Sequence, residues 1–304
     1  MLAITGITGR VGGRLANALL HEGEAIRAVV RDRQKGLPWS VRGCDVRVAD
    51  VNDEAALTSA FTGAAGVFIL LPPTFDPSPD FSEARRAIEA IRGALRAARP
   101  HKVVCLSTIG ARAAEPNLLN QLGLLEAALE TLPMPTAFLR AAWFIENSAW
   151  DIETARATGA FPSFLQPTDR PVPMVATADV AQVAAELLRE TWSGRRVIEL
   201  EGPERVSPDR IAGCLGHLLE RDVVADGVPR AEWEAVFRAQ GMRNPLPRMQ
   251  MLDGFNAGWI RFDRRARKGL VSVEAVLQEL VSLQAAATSR QNASADGAIV
   301  ASAR

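Results

Sequence analysis

Short apolar runs alternate along the first half of the chain with segments whose apolar residues recur every three or four positions. The runs are Leu2–Thr5, Ala25–Val30, Val46–Ala49, Gly66–Leu71, Lys102–Leu106 and Thr136–Leu139. Between them, Val11–His21, Glu54–Phe61, Phe81–Ala98 and Asn117–Thr131 have helical spacing. Val11, Leu15, Leu19 and Leu20 fall on or near one face of the first helix, and Asp53 is placed to cap the second. Strands without regular polar alternation are buried on both faces, which calls for a parallel sheet with helices on either side. Right-handed crossovers then give an α/β, Rossmann-type doubly wound sheet.

After residue 150 the rhythm changes. A Pro- and Thr-rich stretch (FPSFLQPTDRPVP) precedes a helix over Asp179–Glu190, a short strand over Val197–Leu200, a Gly202-Pro203 turn, and helices over Pro208–Leu219 and Arg230–Gln240. This half reads as a smaller C-terminal α+β substrate domain.

The first strand runs directly into Thr5-Gly6-Ile7-Thr8-Gly9-Arg10-Val11-Gly12, which opens the first helix. Its glycines serve a tight turn, close approach of backbone to a pyrophosphate, and close helix–strand packing. The free N–H groups of the helix N-terminus then face the phosphates. Gly6, Thr8, Gly9, Arg10, Val11 and Gly12 are accordingly cofactor-binding candidates. The second strand ends Val30-Arg31-Asp32-Arg33, with Lys35 beyond. A carboxylate there suits the ribose 2′-hydroxyl of NAD, and an arginine suits the 2′-phosphate of NADP. Arg31, first after the strand, with Arg10 beside it, favours NADP; Asp32 keeps NAD as the alternative. Asp50 and Val51 follow the third strand and are placed to touch adenine. Leu71 and Pro72 follow the fourth and would line the nicotinamide ribose, with Pro73 nearer the substrate. The expected division is a nucleotide-binding domain over residues 1–150, a substrate or cap domain over 151–281 whose strands can rejoin the sheet, and a disordered Ala/Ser-rich tail over 282–304.

Composition narrows the class. Hydrophobic residues make up 48% and charged residues 23%, and 35 basic side chains balance 35 acidic ones. A net charge of 0 argues against a protein that coats nucleic acid or an anionic membrane. No apolar run reaches the roughly 18 residues that span a bilayer. The N-terminal segment has no basic region or cleavage site, and Cys44, Cys105 and Cys214 form no CxxC, so a cytoplasmic protein is expected. No His/Cys/Asp/Glu spacing suggests a metal. Tyrosine is absent, lysine occurs only at 35, 102 and 268, and histidine only at 21, 101 and 217.

The TGITGRVG loop, LSTIGA at 106–111 and Thr136-Ala-Phe-Leu-Arg-Ala-Ala-Trp-Phe-Ile-Glu-Asn147 together resemble the NmrA-like group of atypical short-chain dehydrogenases/reductases. Ala178-Asp-Val-Ala181, Leu200-Glu-Gly-Pro203 and Gly254-Phe-Asn-Ala-Gly-Trp-Ile260 extend the resemblance over residues 1 to about 280. It implies a Rossmann NAD(P)-binding domain with a small C-terminal substrate domain. The group includes NAD(P)H:quinone reductases, isoflavone-reductase-like enzymes and regulators that sense NADP without turnover. The wider superfamily uses a Tyr-xxx-Lys pair on the helix after the fifth strand, where tyrosine donates a proton. Here that helix reads NLLNQLGLLE over 117–126, with Leu122 or Gly123 at the lysine position.

Without that acid, a hydride acceptor must stabilise its own developing charge, because general acid catalysis is worth about 10²–10⁴-fold. A quinone does so by delocalisation. Ser107 and Thr108, at the end of the fifth strand, are the nearest hydroxyls, and Ser107 also borders the cofactor. Asn147 can offer its amide to a substrate oxygen. Trp143 and Phe144 can stack on a flat ring or serve as interdomain core. Glu146 reads as a helix-start carboxylate. The function expected is NADPH-dependent hydride transfer to a quinone-like or conjugated aromatic small molecule, by a monomer or homodimer. The alternatives are a non-catalytic NADP-sensing regulator with a protein partner, and an isomerase or cyclase on the same scaffold.

Overall fold

The computed structural model describes residues 1–263 and 265–286. Strands β1 (Leu2–Thr5), β2 (Ile26–Val30), β3 (Asp45–Val48), β4 (Gly66–Ile69), β5 (Val103–Thr108) and β6 (Thr136–Ala141) form where the apolar runs predict them. Two-residue or short strands β7 (Trp143–Phe144), β8 (Ala160–Ser163) and β9 (Met174–Val175) follow, then β10 (Arg195–Glu201), β11 (Val224–Gly227) and β12 (Arg267–Lys268). The central sheet has eight strands in the order β12-β10-β6-β5-β4-β1-β2-β3, every pair parallel. The order runs outward in both directions from β1 and β4, so a crevice opens between their C-terminal ends, where doubly wound sheets bind ligands. The strand expected over Val197–Leu200 is part of β10 and joins this sheet beside β6.

The helices divide by face. Helices α1 (Arg10–His21), α2 (Arg33–Val41) and later α7 cover one side; α3 (Glu54–Phe61), α4 (Ser82–Ala98) and α5 (Asn120–Leu129) cover the other. Helix α6 spans Ile152–Thr158 and α7 spans Thr177–Arg189. Alternation along the strands follows this division: Leu2, Ile4, Phe68, Val104 and Leu139 face α1 and α7, whereas Ala3, Val67, Val103, Cys105 and Phe138 face α3, α4 and α5. Leu15 and Leu19, both fully buried, lock α1 to the sheet at roughly 1.5–3 kcal/mol each.

The rest of the second half surrounds its own apolar cluster. Helices α8 (Pro208–Leu219), α9 (Trp233–Ala239) and α10 (Leu246–Ala257) and a helix over 273–286 bring together Phe161, Trp233, Phe237, Leu252, Phe255 and Leu277. That last helix corrects the expected tail, since it passes Ser282 and reaches 286, and Leu280 is buried within it. The remainder of the expected tail, 287–304, lies outside the described residues. Among the described residues no helix is long and apolar enough to cross a membrane.

Candidate active site

The nucleotide end is made of backbone. Gly6 turns with φ +65° and accepts the Gly9 N–H at 2.9 Å. A Cβ on Gly12 would sit 2.3 Å from the Gly6 carbonyl oxygen, so only glycine lets α1 start this close to β1. At Gly9 the corresponding distance is 3.3 Å, which the loop tolerates with slight adjustment. Helix α1 begins at Arg10 with no side chain capping it, leaving its first N–H groups for an anion. Thr5 completes the crevice: its hydroxyl donates to the Phe68 carbonyl at 3.1 Å and accepts the Leu70 N–H at 2.9 Å, stitching β1 to the end of β4. These features suit a dinucleotide pyrophosphate.

At the end of β2 the two candidate residues separate. The Asp32 carboxylate accepts the Gln34 N–H at 2.8 Å and caps α2. Arg31 is exposed and makes no hydrogen bond among the described residues. Asp50 accepts both N–H groups offered by Asn52, at 2.9 Å each; these bonds, with a smaller contribution from Arg31, hold its carboxyl below the usual range. Its carboxylate is thereby engaged within its own loop, while Val51 packs against the sheet cluster. An open cleft of about 450 Å³ lies between the glycine loop and α2, lined by Ile7, Thr8, Gly9, Gly13, Lys35, Pro38 and Trp39. Lys35, read in the sequence only as a charge beyond Arg33, lines this cleft. A wider depression of about 790 Å³ along α8, lined by Gly213, His217 and Arg221 among others, includes no residue of the glycine loop or of the central-sheet strand ends.

Arg10, expected to help Arg31 with a 2′-phosphate, donates its Nη1–H to the Glu146 carbonyl at 2.7 Å, which engages its guanidinium with the 3-10 helix Ile145–Trp150. Glu146 in turn accepts the Thr177 N–H at 2.8 Å and the Thr177 hydroxyl, and so caps α7 from outside. This remote cap explains why α7 starts at Thr177, ahead of the expected Asp179. Asp179 itself accepts the N–H groups of Leu270 and Val271 at 3.0 and 3.1 Å.

The acceptor end is made of side chains, several of which bind one another. Ser107, buried, donates to Glu126 Oε1 at 2.5 Å. Arg140 donates twice to the same carboxylate, at 2.9 and 2.8 Å, and Arg112 once at 2.9 Å. Burial opposes the charge on fully buried Glu126, but the bonds from Arg140 and Ser107 prevail and hold its carboxyl below the usual range. Arg140 also reaches Asp263 at 3.1 Å. The lysine position of the wider superfamily is closed: a Cβ on Gly123 would lie 2.1 Å from the Ala111 carbonyl oxygen, and Leu122 packs into the core. Thr108, half-buried, is 3.5 Å from the Ala141 carbonyl oxygen. Leu71 is buried, Pro72 half-buried and Pro73 exposed where the chain leaves β4. Asn147 is half-buried, and its amide makes no hydrogen bond among the described residues. Trp143 and Phe144 do not share one face. Trp143 lies edge-on to Phe255, centroids 5.3 Å apart, whereas Phe144 packs on the sheet cluster. Adjacent residues of a strand point to opposite sides, so the two rings cannot both stack on one ligand. Sequence reasoning also missed Asp151, whose carboxyl burial pushes up to about 7.

The match to the NAD(P)H-binding family covers residues 6–191. The chain belongs to this family. The fold is also like that of NmrA, a mutant of which superposes with a TM-score of 0.64 at 18% identity, over 92% of this chain and 90% of that one. Quinone oxidoreductase 2 of Escherichia coli K12 is 27% identical over 257 residues, 82% of this chain and 85% of that protein. The NAD(P)H azoreductase of Xenophilus azovorans is 24% identical over 247 residues, 81% of this chain and 83% of that protein. The crystal structure of the E. coli NADPH-dependent quinone oxidoreductase complexed with NADPH superposes with a TM-score of 0.77 at 24% identity, over 93% of this chain and 99% of that one.

Proposed function

We propose that this protein is an NADPH-dependent reductase that delivers hydride to a flat, conjugated acceptor such as a quinone or an azo compound. The observation that carries the reading is the commitment of Ser107, whose proton goes to Glu126, in a chain with no tyrosine and with Leu122 or Gly123 at the lysine position. An alkoxide product needs a proton donor as it forms; a hydroquinone or hydrazo product spreads its charge and collects protons from water. The names of the E. coli quinone oxidoreductase and the X. azovorans azoreductase agree with that class.

NADPH, when bound, supplies the hydride. The N–H groups at the start of α1 hold the pyrophosphate, with Gly9 admitting it and Thr8 beside it. Arg31 and Lys35 take the 2′-phosphate, a preference supported by Arg31 having no other hydrogen-bond partner and by Asp32 being spent on the α2 cap. Leu71, Pro72 and Ser107 border the nicotinamide end, where Ser107 offers lone pairs and no proton. Thr108 and the free amide of Asn147 orient the acceptor oxygen, and Pro73 shapes the entrance.

Rapid mixing of the NADPH complex with quinones, azo dyes, aliphatic ketones and aldehydes tests the reading. Quinones and azo dyes are expected to oxidise the cofactor, with Ser107→Ala within about threefold of wild type because that hydroxyl gives no proton. Efficient turnover of a simple ketone overturns it. The same lack of a proton donor also favours an NADP-sensing regulator; no turnover with any acceptor, together with a protein partner captured only with NADP present, establishes that second reading.

A further inference from the structure

Two large aromatic side chains stand exposed on segments that follow the C-terminal ends of β4 and β7. Phe75 is 49% and Trp150 67% exposed. Their rings meet edge to face, centroids 6.3 Å apart at an interplanar angle of 82°. Phe75 belongs to the loop leaving β4 through Leu71–Pro73, and Trp150 ends the 3-10 helix Ile145–Trp150 that contains Asn147. Scattered exposed apolar residues are ordinary. A pair that meets from segments far apart in sequence, each leaving a strand end of the nucleotide fold, is a different arrangement.

The backbone carrying both rings is tied down, although neither ring is packed in a core. Before Phe75, the Thr74 carbonyl accepts from Gln121 Nε2 at 3.1 Å. After it, the Asp76 carboxylate accepts the N–H groups of Arg243 and Asn244, the latter at 2.7 Å. Before Trp150, the Ala149 carbonyl accepts from Gln284 Nε2 at 3.0 Å. After it, the Asp151 N–H donates to the Ser148 carbonyl at 3.0 Å. The backbone beside each ring is thus fixed, and the rings touch each other edge to face while much of their surface stays exposed.

The geometry points to a specificity element: Phe75 and Trp150 form an aromatic bridge over the mouth of the crevice and take the outer ring of a polycyclic acceptor. This rests on the reading of the crevice as an acceptor site. A single ring is reduced at the strand ends, among Leu71, Ser107 and Asn147. Fused rings extend outward to the bridge, where edge-to-face and offset-stacked contacts add to binding. The bridge therefore sorts acceptors by ring number, after the chemistry has sorted them by electron affinity.

The test compares benzoquinone with phenanthrenequinone at saturating NADPH. Trp150→Ala is expected to raise KM for phenanthrenequinone about tenfold more than KM for benzoquinone, with Phe75→Ala acting in the same direction and Trp150→Phe restoring most of the loss. A second measurement needs no turnover: with NADP⁺ bound, phenanthrenequinone is expected to quench a share of tryptophan emission that is missing from Trp150→Phe. Equal KM changes for both quinones, or no change, overturn the bridge. If the wild-type protein reduces neither quinone, the parent reading fails. The bridge is then judged by emission alone, where quenching of Trp150 supports it and its persistence overturns it.

Discussion

The two ends of the crevice are built from different materials. At the nucleotide end the working groups are peptide N–H groups, and side chains matter mainly by their absence at Gly6, Gly9 and Gly12. At the acceptor end many side chains bind one another: Ser107, Arg112 and Arg140 converge on Glu126, and one oxygen of Glu146 caps α7. A site made of backbone stays open to its ligand whenever the chain is folded. A site whose strand-end hydroxyl is already bound to a carboxylate has one fewer proton to give, which suits the proposed acceptors that carry their own charge.

The contrast breaks most visibly at Arg140. Arg140→Met leaves the Glu126 carboxylate buried with one fewer partner and is expected to cost about 3–5 kcal/mol of stability. Chemical denaturation measures it; a loss under about 1 kcal/mol would mean that Arg112 and Ser107 suffice. At the opposite end, Gly9→Ala should leave the melting transition nearly in place yet weaken NADPH binding at least about 100-fold, because its methyl group stands where the pyrophosphate must approach. Unchanged affinity by titration calorimetry would remove the loop from the site. Gly12→Ala, with its Cβ at 2.3 Å from backbone oxygen, should instead fail to fold. The pair separates space kept for the ligand from space kept for the helix.

Most of the nucleotide end was legible in the sequence, because its signals are local. A glycine loop sits between one strand and one helix, and six apolar runs mark six strands. Helix α2 was not legible: Arg33–Val41 is mostly exposed, contains Pro38, and carries no apolar stripe. Lys35 was visible only as a charge and was given no role. The acceptor end was far less legible, because its contacts are distant in the chain. Arg10 and Glu146 are 136 positions apart, and nothing near either residue announces the bond. Asp32 shows the same problem in miniature. Its spacing from the glycine loop fits a ribose ligand, and only the formation of α2 reveals that the carboxylate has another use.

Smaller effects sharpen the picture. Arg31→Ala is expected to weaken NADPH about 10–100-fold and NADH less than about twofold, with Lys35→Ala following more mildly. Equal losses for both cofactors would return Asp32 to consideration. The smallest effect concerns Asp151. Folded, it keeps its proton up to about pH 7; unfolded, it releases it near the ordinary 3.8. The folded state therefore binds more protons in that window, so this group's contribution to stability is complete below about pH 4, falls through pH 7 and is flat above. Asp151→Asn should gain about 2 kcal/mol over wild type at about pH 8 and nothing at about pH 4, since partial exposure softens the effect. Melting curves at the two pH values decide it, and a variant no more stable at pH 8 would show that the carboxyl is well solvated.

The place of β10 in the sheet has a consequence for how the chain is made. A ribosome that has released the first 150 residues has supplied β1 to β6, α1 to α5 and the glycine loop. Neither the neighbour of β6 nor α7, whose Val180, Ala184 and Leu188 lie against the same apolar cluster as α1, has yet emerged. Until residue 201 is out, one flank of β6 offers unpaired backbone and one face of the sheet is half covered. The nucleotide-binding half is the first to be synthesised, but it cannot close ahead of the second half. A fragment ending at residue 150 should accordingly aggregate rather than bind nucleotide, and the holding of nascent chains by chaperones should extend past the synthesis of β10.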